Sequence, residues 1–128
     1  AVVPIDWKGL DNAISESLGE TVDYAASLMQ DNLSAERYYW PRTTRRRNGE
    51  VVTSPRDAID TRELYDSQYK QKEKFSGAIG YSADHAYDVH EGEPDLDRPD
   101  RPWIRLVAQE RGSDIAENFA NNLKRKLF

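Results

Sequence analysis

The sequence predicts an α+β fold: a long N-terminal helix and a C-terminal helix packed on a small antiparallel sheet, with a protruding Arg-rich β-hairpin. Three observations carry this. Apolar residues recur at helical spacing at both ends of the chain. The stretch around residues 65–81 alternates with the period of a strand. Between them lies an Asn-Gly turn dipeptide set among arginines. The 128 residues suffice for one domain, 1–128, with residues 37–54 as a ribbon standing off it.

The first helix rests on Leu10, Ile14, Leu18, Val22, Ala25 and Met29, three or four residues apart and therefore on one stripe. Asp6 is the expected N-cap, and the pattern predicts a helix from about Trp7 to Leu33. Gly19 inside it costs up to about 1 kcal/mol relative to Ala and marks a close approach by a neighbour. Tyr38-Tyr39-Trp40-Pro41 follows, then Arg42, Arg45, Arg46 and Arg47 before Asn48-Gly49. Asn-Gly favours the positive φ of a tight hairpin, so Thr43–Arg47 and Glu50–Thr53 are expected to pair as a short polar ribbon. Asp60 or Thr61 is placed to cap a short helix running to Leu64.

From Tyr65 to Lys74 the chain reads as a strand. One face carries Tyr65, Ser67, Tyr69 and Phe75; the other, with Gln68, Lys70, Lys72 and Lys74, is wholly polar and expected to meet solvent. Gly77–Tyr81 is the second, antiparallel strand. Asp84 to Val89 is expected to be a helical turn leading to His90-Glu91-Gly92, and the three prolines between Glu93 and Pro102 predict an exposed loop. The closing helix starts at Trp103, with Ile104, Ala108, Ile115, Phe119, Leu123 and Leu127 on one stripe and Val107 beside it; Gly112-Ser113 is a possible bend.

Composition narrows function. With no cysteine there is no disulfide, thiolate metal site or cysteine nucleophile. No apolar run approaches the roughly 20 residues of a membrane span, and the N-terminus lacks signal-peptide character, so a cytoplasmic, soluble product is expected. The hydrophobic fraction is 38% and the charged fraction 32%, with a formal charge of −5, a balance that argues against the whole chain binding nucleic acid. The charge is segregated. Seven acids face a single base, Lys8, over Ala1–Glu36; five arginines and no acid follow over Arg37–Arg47; the C-terminus ends on Lys124, Arg125 and Lys126. Such blocks suit subunit complementarity as well as plain solvation.

Sites for chemistry are scarce. His85 and His90 are five residues apart, not the four that set two histidines on one helical face, and no G-x-S-x-G or phosphate loop exists. The expectation is no enzyme, no cofactor and no metal. Two other classes stay open. One is a nucleic-acid-binding module using the Arg42–Arg47 ribbon with Tyr38, Tyr39 and Trp40 for stacking. The other is a small enzyme built on His85, His90 and nearby acids.

Two segments bring a family into view. Ile59–Ser67 resembles the D-T-G-x-L-x-x-S segment of the neck and tail-completion proteins of long-tailed bacteriophages: Asp60, Thr61, Leu64 and Ser67 match, and Arg62 stands where that pattern has Gly. Tyr87-Asp88-Val89-His90-Glu91-Gly92, followed by Arg101-Pro102-Trp103-Ile104-Arg105, is similar to the family's Y-x-x-V-x-x-G turn and P-[FW]-[LI]-R start of a C-terminal helix, with the tyrosine one place closer to the valine. The likeness runs from about Asp6 to Phe128; the Arg-rich ribbon has no place in it. It implies a structural virion protein at the head–tail joint, assembled in the host cytoplasm. Such a protein forms a ring with copies of itself, sixfold or twelvefold, between a portal-side connector and the tail tube, and lets DNA pass without specific binding. Adaptor, stopper, neck and terminator layers all fit. The motif residues then have structural roles: Asp60 and Thr61 as caps, Gly92 for a turn, Pro102 to start the last helix and Trp103 to anchor it to the sheet. The acids of Glu91–Asp100 are expected to line the channel or to pair with Arg45–Arg47 of the next subunit.

Overall fold

Two antiparallel helices form the frame of the protein. The computed structural model describes residues 2, 4, 6–34, 44, 45, 51, 52, 63–92 and 100–128. In chain order the elements are α1 (Trp7–Leu33), β1 (Thr44–Arg45), β2 (Val51–Val52), α2 (Glu63–Asp66), β3 (Gln68–Lys72), β4 (Gly77–Tyr81), α3 (Ala86–Glu91) and α4 (Trp103–Leu127). The fold is α+β, with α1 and α4 packed on the β3–β4 hairpin. β1 and β2 pair antiparallel, Thr44 with Val52 and Arg45 with Val51. The remainder of the predicted ribbon lies outside the described residues.

α1 has the predicted bounds and the predicted cap: the Asp6 carboxylate accepts a hydrogen bond from the Gly9 amide at 2.9 Å. α4 runs without a break through Gly112-Ser113, and Lys124, Arg125 and Lys126 complement the negative end of its dipole. β3 and β4 pair antiparallel from Gln68 opposite Tyr81 to Lys72 opposite Gly77. His90 and Glu91 fall inside α3 rather than after it, and Gly92 ends that helix at φ 79°, ψ 171°. That backbone conformation is essentially confined to glycine. Gly92→Ala is therefore expected to lower stability by about 1–3 kcal/mol, read as a shift in the urea midpoint at unchanged slope.

The main core sits at one end of the frame. Met29 and Leu33 of α1, Leu64 of α2, Ala86 of α3, and Trp103 and Val107 of α4 form one buried cluster. Trp103 is completely buried, with its ring edge-on to Tyr81 at 5.1 Å and to His90 at 5.0 Å. Asn32 ties α1 to the start of α4 by donating from Nδ2 to the Trp103 carbonyl at 3.0 Å. Gln30, Gln68 and Tyr81 tie α1 to the sheet. The Tyr81 hydroxyl donates to Gln30 Oε1 at 2.8 Å and accepts from Gln68 Nε2 at 3.0 Å. Burial pushes that hydroxyl's pKa up to about 12.

Two expectations about faces are refined. The polar face of β3 is exposed at Lys70, Lys72 and Lys74, as expected, and it also reaches α1. Lys70 and Lys72 donate to the two oxygens of Asp23 at 2.8 and 3.0 Å, Gln68 donates to the Ala26 carbonyl at 2.9 Å, and Lys74 lies 3.9 Å from Asp11. Acids on α1 supply partners that strand periodicity cannot reveal. The opposite face, with Tyr69, is the open one, and Tyr69 lies across Gly80. Gly77 lets β4 approach α1 closely, because a Cβ there would strike Val22.

The second concerns the helix stripes. Of the predicted α1 set only Ala25 and Met29 are buried, and Leu10, Ile14, Leu18 and Val22 are half-buried. On α4 only Val107 is buried; Ile104, Ile115, Phe119 and Leu123 are half-buried, and Ala108 and Leu127 are exposed. The seam between the helices is instead built from Ala13, Ser17 and Thr21 on α1 and Asn122 on α4, with Asn118 beside them. Small side chains let the two backbones approach, and the large apolar residues are displaced to the flanks.

Lys70 and Lys72 hold the Asp23 carboxyl below the usual aspartate pKa. A folded-state pKa below the unfolded one adds stability that is complete above the ordinary carboxylate range and is lost as pH falls through the lowered value. All three side chains are near half exposed, so the contribution is at most about 1 kcal/mol. Asp23→Asn is expected to lower stability by that amount at neutral pH. In urea melts the gap between variant and wild type should close as pH drops below about 4.

Candidate subunit-interaction site

The motif residues that lie within the described chain converge on one end of the molecule. Leu64 is buried in the core, Pro102 and Trp103 begin α4, and His90, Glu91 and Gly92 close α3 against it. The junction is held by backbone and side chain together. The Arg101 amide donates to the Val89 and His90 carbonyls at 3.0 and 3.2 Å. His90 Nδ1 lies 2.8 Å from Glu91 Oε1, and its Nε2 accepts from the Arg105 amide at 3.4 Å, which places the ring proton on Nδ1. Arg105 also pairs with Glu91 at 3.2 Å and with Asp100 at 3.7 Å. The hydrogen bond from His90 and the Arg105 guanidinium keep the Glu91 carboxyl below its usual pKa. A carboxylate held in this way is a poor proton donor near neutrality. Ser67, the last residue of the first motif, donates to the Leu64 carbonyl at 2.7 Å and closes α2.

Asp60 and Thr61 of that motif lie outside the described residues, as do Tyr38, Tyr39, Trp40, Arg42, Arg46 and Arg47; Arg45 is placed only as a member of β1. Among the described residues no group of three or more His, Cys, Asp or Glu side chains is arranged to hold a metal ion. No described helix is long and apolar enough to cross a membrane.

At the other end the frame is less finished. Thr21 Oγ1 donates to Asn118 Oδ1 at 3.2 Å, and Asn122 Nδ2 donates to the same oxygen at 2.9 Å. Ser17, fully buried one turn away, has a hydroxyl with no partner among the described residues. Glu20 binds Arg125 at 3.1 Å and Lys126 at 2.7 Å, which holds its carboxyl pKa down. Arg111 reaches the Tyr24 hydroxyl at 3.3 Å. The helices are thus joined by polar and ionic contacts, while Trp7, Phe75, Leu127 and Phe128 stand exposed. Motif and stripe reasoning missed this seam. Its signal was present as four small residues at spacing four, Ala13, Ser17, Thr21 and Ala25, facing an asparagine pair at the same spacing, Asn118 and Asn122.

The chain matches no family model, no curated protein and no solved structure.

Proposed function

We propose that the protein is a structural subunit of a tailed-phage head–tail joint. It assembles with copies of itself into a ring between the portal-side connector and the tail tube, with the Arg-rich hairpin projecting toward a neighbour. The observation that carries this reading is the uneven finish of the fold. One end has a buried aromatic core and a latched α3–α4 junction; the other joins α1 to α4 through a polar seam and leaves large apolar side chains uncovered. Exposed large apolar side chains at one end of the frame suit a subunit contact, and a heterologous ring contact covers such residues on both sides of every subunit. The resemblance of Ile59–Ser67 and Tyr87–Arg105 to neck and tail-completion proteins supplies the setting, and the latch at Gly92, Pro102 and Trp103 is structural in kind.

The test is negative-stain electron microscopy and light scattering on the purified full chain, alone and with tail-tube or connector proteins. Closed rings are the expected result. A chain that stays single under all these conditions, and binds DNA with a steep salt dependence, overturns the reading in favour of a nucleic-acid module working through Arg42–Arg47.

A further inference from the structure

The two edges of the β3–β4 hairpin are built differently. The Glu73 amide donates to the Ser76 carbonyl at 2.9 Å, and the Ser82 amide donates to the Ser67 carbonyl at 3.1 Å. Given the register from Gln68 opposite Tyr81 to Lys72 opposite Gly77, these bonds fix the phase of the ladder. Tyr69 with Gly80, and Gln71 with Ala78, are the bonded pairs; the residues between them turn their N–H and C=O groups outward. The outward groups belong to Gln68, Lys70 and Lys72 on β3, and to Gly77, Ile79 and Tyr81 on β4. Among the described residues no partner reaches the β4 set. Lysines at two of its three outward positions guard the β3 edge against strand addition. β4 has no such guard. It lies within Phe75–Ala83, the longest stretch of the chain without Asp, Glu, Lys or Arg.

We infer that the outer edge of β4 pairs antiparallel with β4 of a second copy, across a twofold axis at Ile79, so that two hairpins join into one four-stranded sheet. Two features point to a second copy as the occupant. Register is one. With Ile79 opposite Ile79, Gly77 falls opposite the partner's Tyr81 and Ala78 opposite the partner's Gly80. Every outward amide of one strand then meets an outward carbonyl of the other. The bulky Tyr81 stands beside a glycine, and the two isoleucines form a β-branched pair. Charge is the other. Two copies with a formal charge of −5 each repel one another, and this uncharged run lets two backbones meet with no like charges opposed. Five residues a side make a small contact, below the roughly 1,200 Å² at which stable interfaces begin, so pairing is expected to be weak and concentration-dependent. A twofold contact closes on two copies. It therefore goes beyond the ring reading above, pairs the free subunits, and stands or falls separately from that reading.

Amide hydrogen exchange on the full chain over a concentration series tests the register, with light scattering beside it. In dilute protein the Ile79 and Tyr81 amides are expected to exchange fast. As pairs form they should slow by about tenfold or more, while the outward amides of Lys70 and Lys72 stay fast. Ala78→Lys puts a charge on the open face of β4 and is expected to keep the chain single, with its far-UV spectrum unchanged. Gln71→Lys, its neighbour across the hairpin, adds the same charge on the guarded strand and should leave pairing intact. Ile79 and Tyr81 amides that are slow at every dilution show an edge covered within the chain and overturn the inference. Pairs that form with those amides still fast overturn it, as does an Ala78→Lys protein that pairs like wild type or a chain that stays single at every concentration. Closed rings whose Ile79 amide exchanges fast sink the β4 contact and leave the ring reading standing. Protected pairs that build no ring with connector or tail-tube proteins do the reverse.

Discussion

Trp103→Ala is expected to cost about 3–5 kcal/mol, the largest single loss available in the described chain. Trp103 is fully buried and is the one residue against which α1, α3, α4 and the sheet all meet. Tyr81 and His90 pack edge-on to its ring, Asn32 binds its carbonyl, and its neighbours in the cluster are Met29, Leu33, Leu64, Ala86 and Val107. Removing the indole opens a cavity under all four elements, and a chain of this size has only about 5–15 kcal/mol in hand. The expected observation is a urea midpoint shifted far to the left, with His90 and Tyr81 resonances losing their ring-current shifts. Trp103→Phe separates packing from polarity. The indole Nε1 makes no well-aligned hydrogen bond among the described residues and has only the Tyr81 hydroxyl beside it, so the smaller ring gives up area but little hydrogen bonding. Its cost should stay near 1 kcal/mol. A Trp103→Ala protein with the wild-type midpoint would show that the core lies elsewhere.

How the elements arise was largely legible in sequence; how they face one another was not. α1 could be read to the residue because its cap, its four-residue spacing and its end at Leu33 are all local signals. β3–β4 was legible from alternation and from Gly77, and Gly92 from the need for a positive φ. The errors lie where the outcome depends on a distant partner. The lysine face of β3 is exposed, as its alternation indicates, but its ion pairs with Asp23 and Asp11, some 50 and 60 residues earlier, have no local signal. The apolar stripes looked like a seam because burial of Leu and Ile is the usual reason for such spacing. Close approach of two backbones favours Ala, Ser and Thr instead, and the small residues one position away won the contact. Trp103 was expected as an anchor from the resemblance carried by Arg101–Arg105, and it is fully buried at the start of α4. The latch of His90, Glu91 and Arg105 could not be seen as one unit until α3 and α4 were placed together.

The seam between α1 and α4 carries the second large prediction, and its sign depends on which residue is changed. Asn118 Oδ1 accepts from both Thr21 and Asn122, so Asn118→Ala leaves two donors in a closed helix interface without their acceptor. Each stranded buried group costs about 1–3 kcal/mol, and the variant is expected to lose about 2–4 kcal/mol in all, allowing for partial access to water at the half-buried Asn118. Ser17→Ala should behave oppositely. The Ser17 hydroxyl is buried with no partner among the described residues, so replacing it with a methyl removes a desolvation penalty and keeps the close approach; stability should hold or rise by up to about 1 kcal/mol. Replacing the network as a whole, Thr21→Val with Asn118→Leu and Asn122→Leu, removes donors and acceptors together and should recover most of what Asn118→Ala loses. Paired urea melts of the three proteins decide the matter. If Asn118→Ala and Ser17→Ala move the midpoint in the same direction by the same amount, hydrogen bonding does not govern this interface. If the apolar triple variant is the most stable of all, the polar seam was not selected for the strength of the monomer. Its role would then be to set the register of α1 against α4.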